Sequence, residues 1–210
     1  MKLYIAFDLL DLEKCIQVAS IVEPYVDRFE IRASLLYTYG IHAIEAFRKE
    51  FPDKEIFVDT KIVNHGKELS SLAFQAGADI ISVMAGAPEH FIHAVCNHAH
   101  DQNKKVLLDL LDTPLVGQAA LTASSLRVDG IIFYQTPEEN QGYAPSEKWQ
   151  SVQENSSVPI VIGSNINKSN IDGVLLLNPA GITIGKAVTQ AQDPLEEILF
   201  FIEKIKEHKK

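Results

Sequence analysis

The chain has 210 residues, of which 46% are hydrophobic and 22% charged, a composition typical of one globular α/β domain. Its 19 basic and 28 acidic residues give a net charge of −9, which argues against nucleic acid or an anionic membrane as a general partner. No apolar run is long enough to span a bilayer. Cys15 and Cys96 are expected to be free thiols in a reducing cytoplasm.

Short apolar, β-branched segments alternate with amphipathic segments from one end of the chain to the other. Strands are predicted to begin near Leu3, Arg28, Glu55, Asp79, Lys105, Gly130, Pro159 and Gly181. Helices are predicted over residues 12–24, 41–51, 67–76, 88–100 and 194–208, with a less regular one near 168–176. Eight strand–helix units without a linker predict a single (β/α)8 TIM barrel domain over residues 1–210. A doubly wound open sheet is the alternative.

The third predicted strand ends in an acid and a base, Asp59 and Lys61. Side chains at positions i and i+2 of a strand point to the same face, so both groups should project beyond the strand end. Burying two charges costs several kcal/mol each unless the charges are paired. The pair therefore indicates either a functional site or a structural ion pair that closes the barrel interior.

The other predicted strand ends favour the functional interpretation. In a parallel barrel, catalytic groups lie at the carboxyl ends of the strands. In chain order these ends carry Asp8, Glu30, Asp59 with Lys61, Met84, Asp109 with Asp112, Tyr134 with Gln135, Gly163-Ser164-Asn165, and Gly185-Lys186. Four of the first five strands thus end in a carboxylate. Because acids are rarely buried without a purpose, this clustering predicts an active site.

Five motifs spread along the chain point to a family. They are Ala6-Phe7-Asp8, Phe29-Glu30-Ile31, Asp59-Thr60-Lys61-Ile62, Ala76-Gly77-Ala78-Asp79 and Ile184-Gly185-Lys186-Ala187-Val188. Together they resemble the orotidine monophosphate decarboxylase superfamily. Within it, the chain is most similar to the branch that holds 3-hexulose-6-phosphate synthase and 3-keto-L-gulonate-6-phosphate decarboxylase.

The resemblance implies the metal and the catalytic residues. Glu30 and Asp59 would hold a Mg2+ ion, and Lys61 would stabilise an enediolate formed next to a ketone. Asp8 and Asn64 would complete the catalytic set. Mg2+ prefers carboxylate oxygens and keeps several waters, which suits a substrate with a vicinal carbonyl and hydroxyl. Family members are homodimers with sites at the subunit interface, so a homodimer is expected.

The resemblance also implies a sugar phosphate as the substrate. Backbone amides of Gly163-Ser164 and Gly185-Lys186 would bind the phosphate at the ends of the last two strands, a common location in barrels. Tyr134 would lie beside this site. Lys186 stands where the family usually has arginine and would act as a point charge rather than a bidentate fork.

Several positions depart from the family pattern. The motif Asp-x-Lys-x-x-Asp ends here in Asn64, and an amide does not transfer a proton near neutral pH. Tyr134 stands where the branch has a proton-handling histidine, and Arg32-Ala33-Ser34 replaces a usual Gly-Thr-Pro. His65 and His90 are candidate replacements for the lost proton chemistry, with solvated surface histidines as the alternative.

The sequence therefore predicts a cytoplasmic, Mg2+-dependent lyase that acts on a ketose 6-phosphate through an enediolate. The synthase-type aldol reaction is preferred to decarboxylation because Pro137 stands where the decarboxylases have arginine. The segment 106–111 also resembles the fifth strand of the synthases. Decarboxylation of a keto-gulonate phosphate or of orotidine monophosphate is the alternative reaction. A non-catalytic sugar-phosphate-binding protein is the alternative of another class.

Overall fold

The computed structural model describes residues 1–134, 146–163 and 165–208. Its strands are β1 (Lys2–Phe7), β2 (Arg28–Ile31), β3 (Glu55–Ile62), β4 (Ile80–Met84), β5 (Lys105–Asp109), β6 (Gly130–Phe133), β7 (Ile160–Gly163) and β8 (Gly181–Ile184). They form a closed parallel barrel in the order β1 to β8, and β8 pairs back onto β1. The prediction of a (β/α)8 barrel is confirmed, and the open-sheet alternative is wrong.

Helices cover the outside of the barrel between the strands. They are α1 (Leu12–Val22), α2 (Ala33–Tyr39), α3 (His42–Glu50), α4 (Gly66–Gln75), α5 (Glu89–His100), α6 (Val116–Thr122), α7 (Glu147–Asn155), α8 (Ile171–Leu176), α9 (Lys186–Thr189) and α10 (Pro194–His208), with a short 3-10 turn at Glu23–Tyr25. Among the described residues, no helix combines the length and the apolarity that a bilayer crossing requires.

The predicted strands and helices agree with the observed ones to within a few residues. Helices α6 and α7 lie where a helix was expected without bounds, and α2 and α9 are additional to the eight predicted strand–helix units. Helix α2 buries only Leu35 among its seven residues, so its sequence lacks an amphipathic period. Helix α9 is four residues long, which is too short to show a period at all. Both follow the carboxyl end of a strand, β2 and β8 respectively, and both therefore border the face where the site is expected.

The strands bury side chains on both faces, as expected for a parallel barrel. The outward-facing residues pack against the helices in one large core, for example Ile5, Phe29 and Val58. The inward-facing residues Phe57, Ile80, Leu107 and Ile132 form a smaller apolar layer inside the barrel. This inner layer separates two sets of charged side chains, one at each end of the barrel.

The charged set at the amino ends of the strands is tightly paired. Arg28 lies 2.7 Å from Glu55, and Lys105 donates to the other oxygen of the same carboxylate at 2.8 Å. The guanidinium of Arg28 also stacks on Tyr4, 4.4 Å from the ring centroid. We call Arg28, Glu55 and Lys105 the amino-end cluster.

Candidate active site

The acid and the base of the third strand do come together. Lys61 Nζ lies 3.3 Å from Asp59 Oδ1. The pairing register between β3 and β4 shifts in this stretch, and Lys61 has a positive φ of 49°. Ser82 on β4 holds the irregular turn, because its hydroxyl accepts from the Lys61 amide at 2.9 Å and donates to Asp59 Oδ1 at 3.0 Å. The strand end is thus fixed by hydrogen bonds rather than left as a flexible loop.

A second buried carboxylate, that of Asp109, also pairs with Lys61. Asp109, at the end of β5, accepts a 2.5 Å hydrogen bond from Lys61 Nζ and is fully buried. Its other oxygen accepts from the Leu111 amide at 2.9 Å. The Lys61 ammonium is therefore held between Asp59 and Asp109. The sequence marked Asp109 as a strand-end acid, but it gave no indication that this acid would share the lysine.

Burial and charge shift the pKa values of this group. Burial would lower the pKa of Lys61, but the carboxylates of Asp59 and Asp109 outweigh it and raise the pKa above its usual value. Burial raises the pKa of Asp109 more than the neighbouring ammonium lowers it. Perturbed groups of this kind cluster at functional sites, which supports assigning these residues to a site.

A second cation lies beside the next carboxylate. Arg32 follows the end of β2, and its Nη1 donates to Glu30 Oε1 at 2.8 Å. Its Nε lies 3.9 Å from Asp59 Oδ2. The same guanidinium donates to the Tyr134 hydroxyl at 3.5 Å and lies 5.5 Å from the centroid of that ring. Arg32 therefore lies against both carboxylates that the family resemblance assigns to a metal.

Glu30 and Tyr134 are both far from their usual ionisation. Burial, and secondarily the nearby Asp59 charge, raise the pKa of Glu30 in spite of Arg32. Burial raises the pKa of Tyr134 well above its usual value, and the surrounding carboxylates of Asp59, Glu30 and Asp109 act in the same direction. Tyr134 is therefore a neutral hydroxyl at physiological pH, not a group that gains or loses protons as histidine would.

Two buried carboxylate oxygens in this region lack a hydrogen-bond partner. They are Asp59 Oδ2 and Asp8 Oδ1. A buried oxygen without a donor costs free energy, and such atoms in a native protein require an explanation. Of these two residues, Asp8 lines the cavity at the carboxyl ends of the strands.

A cavity of about 450 Å³ opens at the carboxyl ends of the strands. It is lined by Ala6, Asp8, Arg32, Tyr134, Gly163, Asn165, Ile166, Thr183, Gly185 and Lys186. A Cβ at Gly163 would approach Tyr134 Cε1 to 2.9 Å, so glycine lets the Tyr134 ring pack there. Lys186, at the start of α9, is exposed. The predicted phosphate residues Gly163, Gly185 and Lys186 thus share one cavity, whereas Ser164 lies outside the described residues.

The predicted proton-handling residues are placed differently. Asn64, His65 and His90 are exposed, and as far as the chain is described they do not line this cavity. Asp112 binds the Gly86 amide through both oxygens at 3.1 and 3.2 Å, so it shapes a loop rather than the site. Gln135 and Pro137 lie outside the described residues. Asp8, Glu30, Asp59, Lys61 and Tyr134 are brought together.

The carboxylate pair, as placed, does not fit a Mg2+ ion. Mg2+ demands near-octahedral oxygen ligands at about 2.0–2.1 Å. Here Glu30 already accepts from Arg32, and the guanidinium lies alongside Asp59. Within residues 1–134, 146–163 and 165–208, no group of three or more His, Cys, Asp and Glu side chains is arranged to hold a metal. Mg2+ binding stays a prediction, and no chemical step below depends on it.

Comparison with known protein families identifies the family. The model of the orotidine 5'-phosphate decarboxylase / HUMPS family matches residues 1–199. The chain belongs to this family. A 3-hexulose-6-phosphate synthase from Mycobacterium gastri is 29% identical over 198 residues, covering 92% of this chain and 94% of that protein. Another from Staphylococcus aureus (strain USA300) is 27% identical over 200 residues, covering 93% and 94%.

Solved structures agree with the fold. The 3-hexulose-6-phosphate synthase from Salmonella typhimurium has a TM-score of 0.90 and 24% identity, covering 99% of this chain and 100% of that one. The 3-keto-L-gulonate-6-phosphate decarboxylase from Vibrio cholerae has a TM-score of 0.85 and 23% identity, covering 99% and 98%. At these identities the likeness shows the shared barrel.

Proposed function

We propose that this chain is a carbon–carbon lyase that acts on a ketose 6-phosphate through an enediolate, with the reaction of a 3-hexulose-6-phosphate synthase. The observation that carries the proposal is the Lys61 ammonium, fixed between the buried Asp59 and Asp109 and 5.1 Å from the centroid of the Tyr134 ring that lines the cavity. A preorganised cation at the edge of a substrate-sized cavity stabilises negative charge that develops on a substrate oxygen.

The proposed cleavage uses these groups in named roles. The bond between the α and β carbons of the ketone breaks, and its electron pair is delocalised over the α carbon and the carbonyl as an enediolate. The hydroxyl on the departing carbon loses its proton as formaldehyde forms. Lys61 stabilises the enediolate oxygen, and Asp59 Oδ2, which has no hydrogen-bond partner, accepts the hydroxyl proton. Asp59 then returns this proton to the enediolate carbon, which gives a pentulose phosphate and restores the carboxylate.

The phosphate would lie at the opposite side of the same cavity. Gly163 and Gly185 end or follow the last two strands, and Lys186 adds a positive charge at their mouth. Asp8 lines the same cavity, and its Oδ1, which has no hydrogen-bond partner, would accept a hydrogen bond from a sugar hydroxyl. Because the phosphate binds at one side of the cavity and the ketone at the other, the substrate binds in one orientation. Holding the reacting groups in this orientation accelerates the cleavage.

Two findings favour the synthase reaction over decarboxylation. The similar proteins from Mycobacterium gastri and Staphylococcus aureus, at 29% and 27% identity, carry the synthase name. The structurally similar 3-keto-L-gulonate-6-phosphate decarboxylase from Vibrio cholerae and orotidine 5'-monophosphate decarboxylase from Methanocaldococcus jannaschii are each 23% identical, which shows a shared fold and not a shared reaction.

The proposal is tested by offering the chain three phosphates, with Mg2+ and again with EDTA. These are 3-hexulose 6-phosphate, 3-keto-L-gulonate 6-phosphate and orotidine monophosphate, and the assay follows formaldehyde and CO2. The expected result is formaldehyde from the first and no CO2 from the others. CO2 as the main product would assign a decarboxylase.

A non-catalytic sugar-phosphate-binding protein is the second candidate. It is favoured by Asn64, which is exposed, and by Tyr134, a half-buried neutral hydroxyl where the branch has histidine. Binding of the sugar phosphates without turnover would support it. The double variant Asn64→Asp with Tyr134→His would then gain activity. Turnover by the wild type at ordinary enzymatic rates would refute it.

We also propose a cytoplasmic homodimer. Several apolar side chains near the carboxyl face are exposed, including Val63 at 52%, Leu111 at 57% and Leu115 at 67%. A second copy covering them would bring Asn64, which lies beside Val63, towards the partner's cavity. Sedimentation at micromolar concentration tests the dimer, and a monomer would refute it.

The cytoplasmic location is supported by Cys15 and Cys96, both of them free and buried thiols.

A further inference from the structure

The position of Arg32 bears on how this site obtains its positive charge. The family resemblance implies that Glu30 and Asp59 are the two ligands of a divalent cation. In this chain the Arg32 guanidinium contacts Glu30 at 2.8 Å and approaches Asp59 at 3.9 Å. One permanent cation therefore already lies between the two carboxylates.

Arg32 is anchored from more than one strand. Besides Glu30 on β2, it contacts the hydroxyl and the ring of Tyr134, which follows β6 on the far side of the barrel. Its side chain is 30% exposed and lines the cavity. The guanidinium is thus held in place while part of it faces the space where a substrate would bind.

Electrostatic repulsion prevents the Arg32 guanidinium and a divalent ion from occupying this site at the same time. A divalent ion on Glu30 and Asp59 would lie within a few ångströms of the guanidinium, and like charges that close repel strongly in a partly buried site. Displacing Arg32 would break its bond to a nearly fully buried carboxylate. The carboxylates have one partner or the other.

A guanidinium also suits the chemistry. It is planar, remains charged at any physiological pH, and presents several N–H donors in a fixed fork. Such a fork hydrogen-bonds two vicinal oxygens, the arrangement that the carbonyl and hydroxyl of a ketose present.

We propose that the Arg32 guanidinium takes the place of the divalent cation in this chain, so that the site neither binds nor requires Mg2+ and orients the vicinal oxygens of its ketose substrate through Arg32. The assignment of those oxygens rests on the proposed function. The replacement of the metal does not, because metal binding is measured without turnover.

The test is a Mn2+ titration followed by electron paramagnetic resonance on the EDTA-treated full chain. Wild type is compared with Arg32→Ala and with Arg28→Ala. Arg28 pairs with Glu55 at the opposite end of the barrel and is the matched control. We expect no stoichiometric Mn2+ site in wild type or Arg28→Ala. Arg32→Ala should acquire one Mn2+ site. Its affinity should be at least about tenfold higher than that of any Mn2+ binding by wild type, because one nearby positive charge is removed.

Two results would overturn the proposal. One is a single Mn2+ site in wild type that Glu30→Gln abolishes, and the other is an Arg32→Ala variant that binds Mn2+ no better than wild type. Arg32→Gln, which removes the charge but keeps a polar side chain, replaces the alanine variant if that variant does not fold. If neither folds, the wild-type titration decides alone. Should the chain prove active, EDTA is expected to leave its turnover unchanged.

Discussion

The two ends of the barrel use charged side chains in opposite ways. In the amino-end cluster, Glu55 is shared between Arg28 and Lys105 at 2.7 and 2.8 Å. Burial alone would raise the pKa of Glu55, but the hydrogen bond from Lys105 and the charge of Arg28 lower it below its usual value. These charges favour the folded state.

At the carboxyl end the balance is reversed. Glu30, Asp59 and Asp109 are all buried, and they face two cations, Arg32 and Lys61. Burial raises the pKa of Glu30 and of Asp109, so ionising them in the folded protein costs free energy. The comparison teaches that the ionised carboxylate at the amino end stabilises the fold, whereas ionised Glu30 and Asp109 at the carboxyl end are kept at a cost, which is typical of a functional site.

The largest expected effect is on turnover, and it should differ between variants at the two ends of the barrel. Lys61→Ala removes the cation between Asp59 and Asp109 and is expected to lower turnover of the ketose phosphate by about 10²–10³-fold. Lys105→Ala, in the amino-end cluster, is the matched control and should retain wild-type turnover. Formaldehyde release measures both, with circular dichroism to show that each variant is folded. Equal losses in the two variants would remove the distinction between the ends.

The next effect concerns the phosphate side of the cavity. Lys186→Ala is expected to weaken sugar-phosphate binding by roughly 1–3 kcal/mol, because a charge-assisted contact is lost. Lys168→Ala is the control, since Lys168 is already paired with Glu197 at 2.6 Å. Calorimetric titration gives both affinities. If Lys186→Ala binds as tightly as wild type, the glycines at β7 and β8 serve the turns alone.

The smallest effect is on stability at the amino end. Glu55→Gln is expected to cost about 0.5–1 kcal/mol at pH 7 because two ion pairs to a partly exposed carboxylate are lost. The pKa of Glu55 is lowered in the folded state, so its stabilisation is present above the usual value of 4.5 and is lost as pH falls through the folded-state value. Urea unfolding at pH 7 and at low pH should show this loss. A cost independent of pH would contradict the ion-pair explanation.

The sequence predicted the frame of the site because that frame follows from topology. Runs of apolar residues located the strands, and a parallel barrel brings the carboxyl ends of all strands to one face. Asp8, Glu30 and Asp59 could therefore be placed together without coordinates. Asp59 and Lys61 also meet as predicted, with their atoms 3.3 Å apart, although Lys61 has a positive φ and departs from the regular strand geometry on which the prediction rested.

Two other contacts within the site could not be predicted, because each joins strands that are not neighbours. Lys61 on β3 pairs with Asp109 on β5, and Arg32 after β2 reaches Tyr134 after β6. Such contacts depend on side-chain conformation across the barrel interior, which periodicity does not encode. The sequence did show that Arg32 stands at a position where the family usually has a small residue, and this was the available signal.

The most direct test of the difference between the two ends is the free energy of unfolding of Glu30→Gln as a function of pH. The pKa of Glu30 is raised in the folded state, so its ionisation cost is absent below the usual value of 4.5 and grows as pH rises towards the folded-state value. The account predicts that Glu30→Gln gains about 1–2 kcal/mol at pH 8, shows no gain at low pH, and loses turnover. A loss of stability at pH 8, in the same direction as Glu55→Gln, would contradict it.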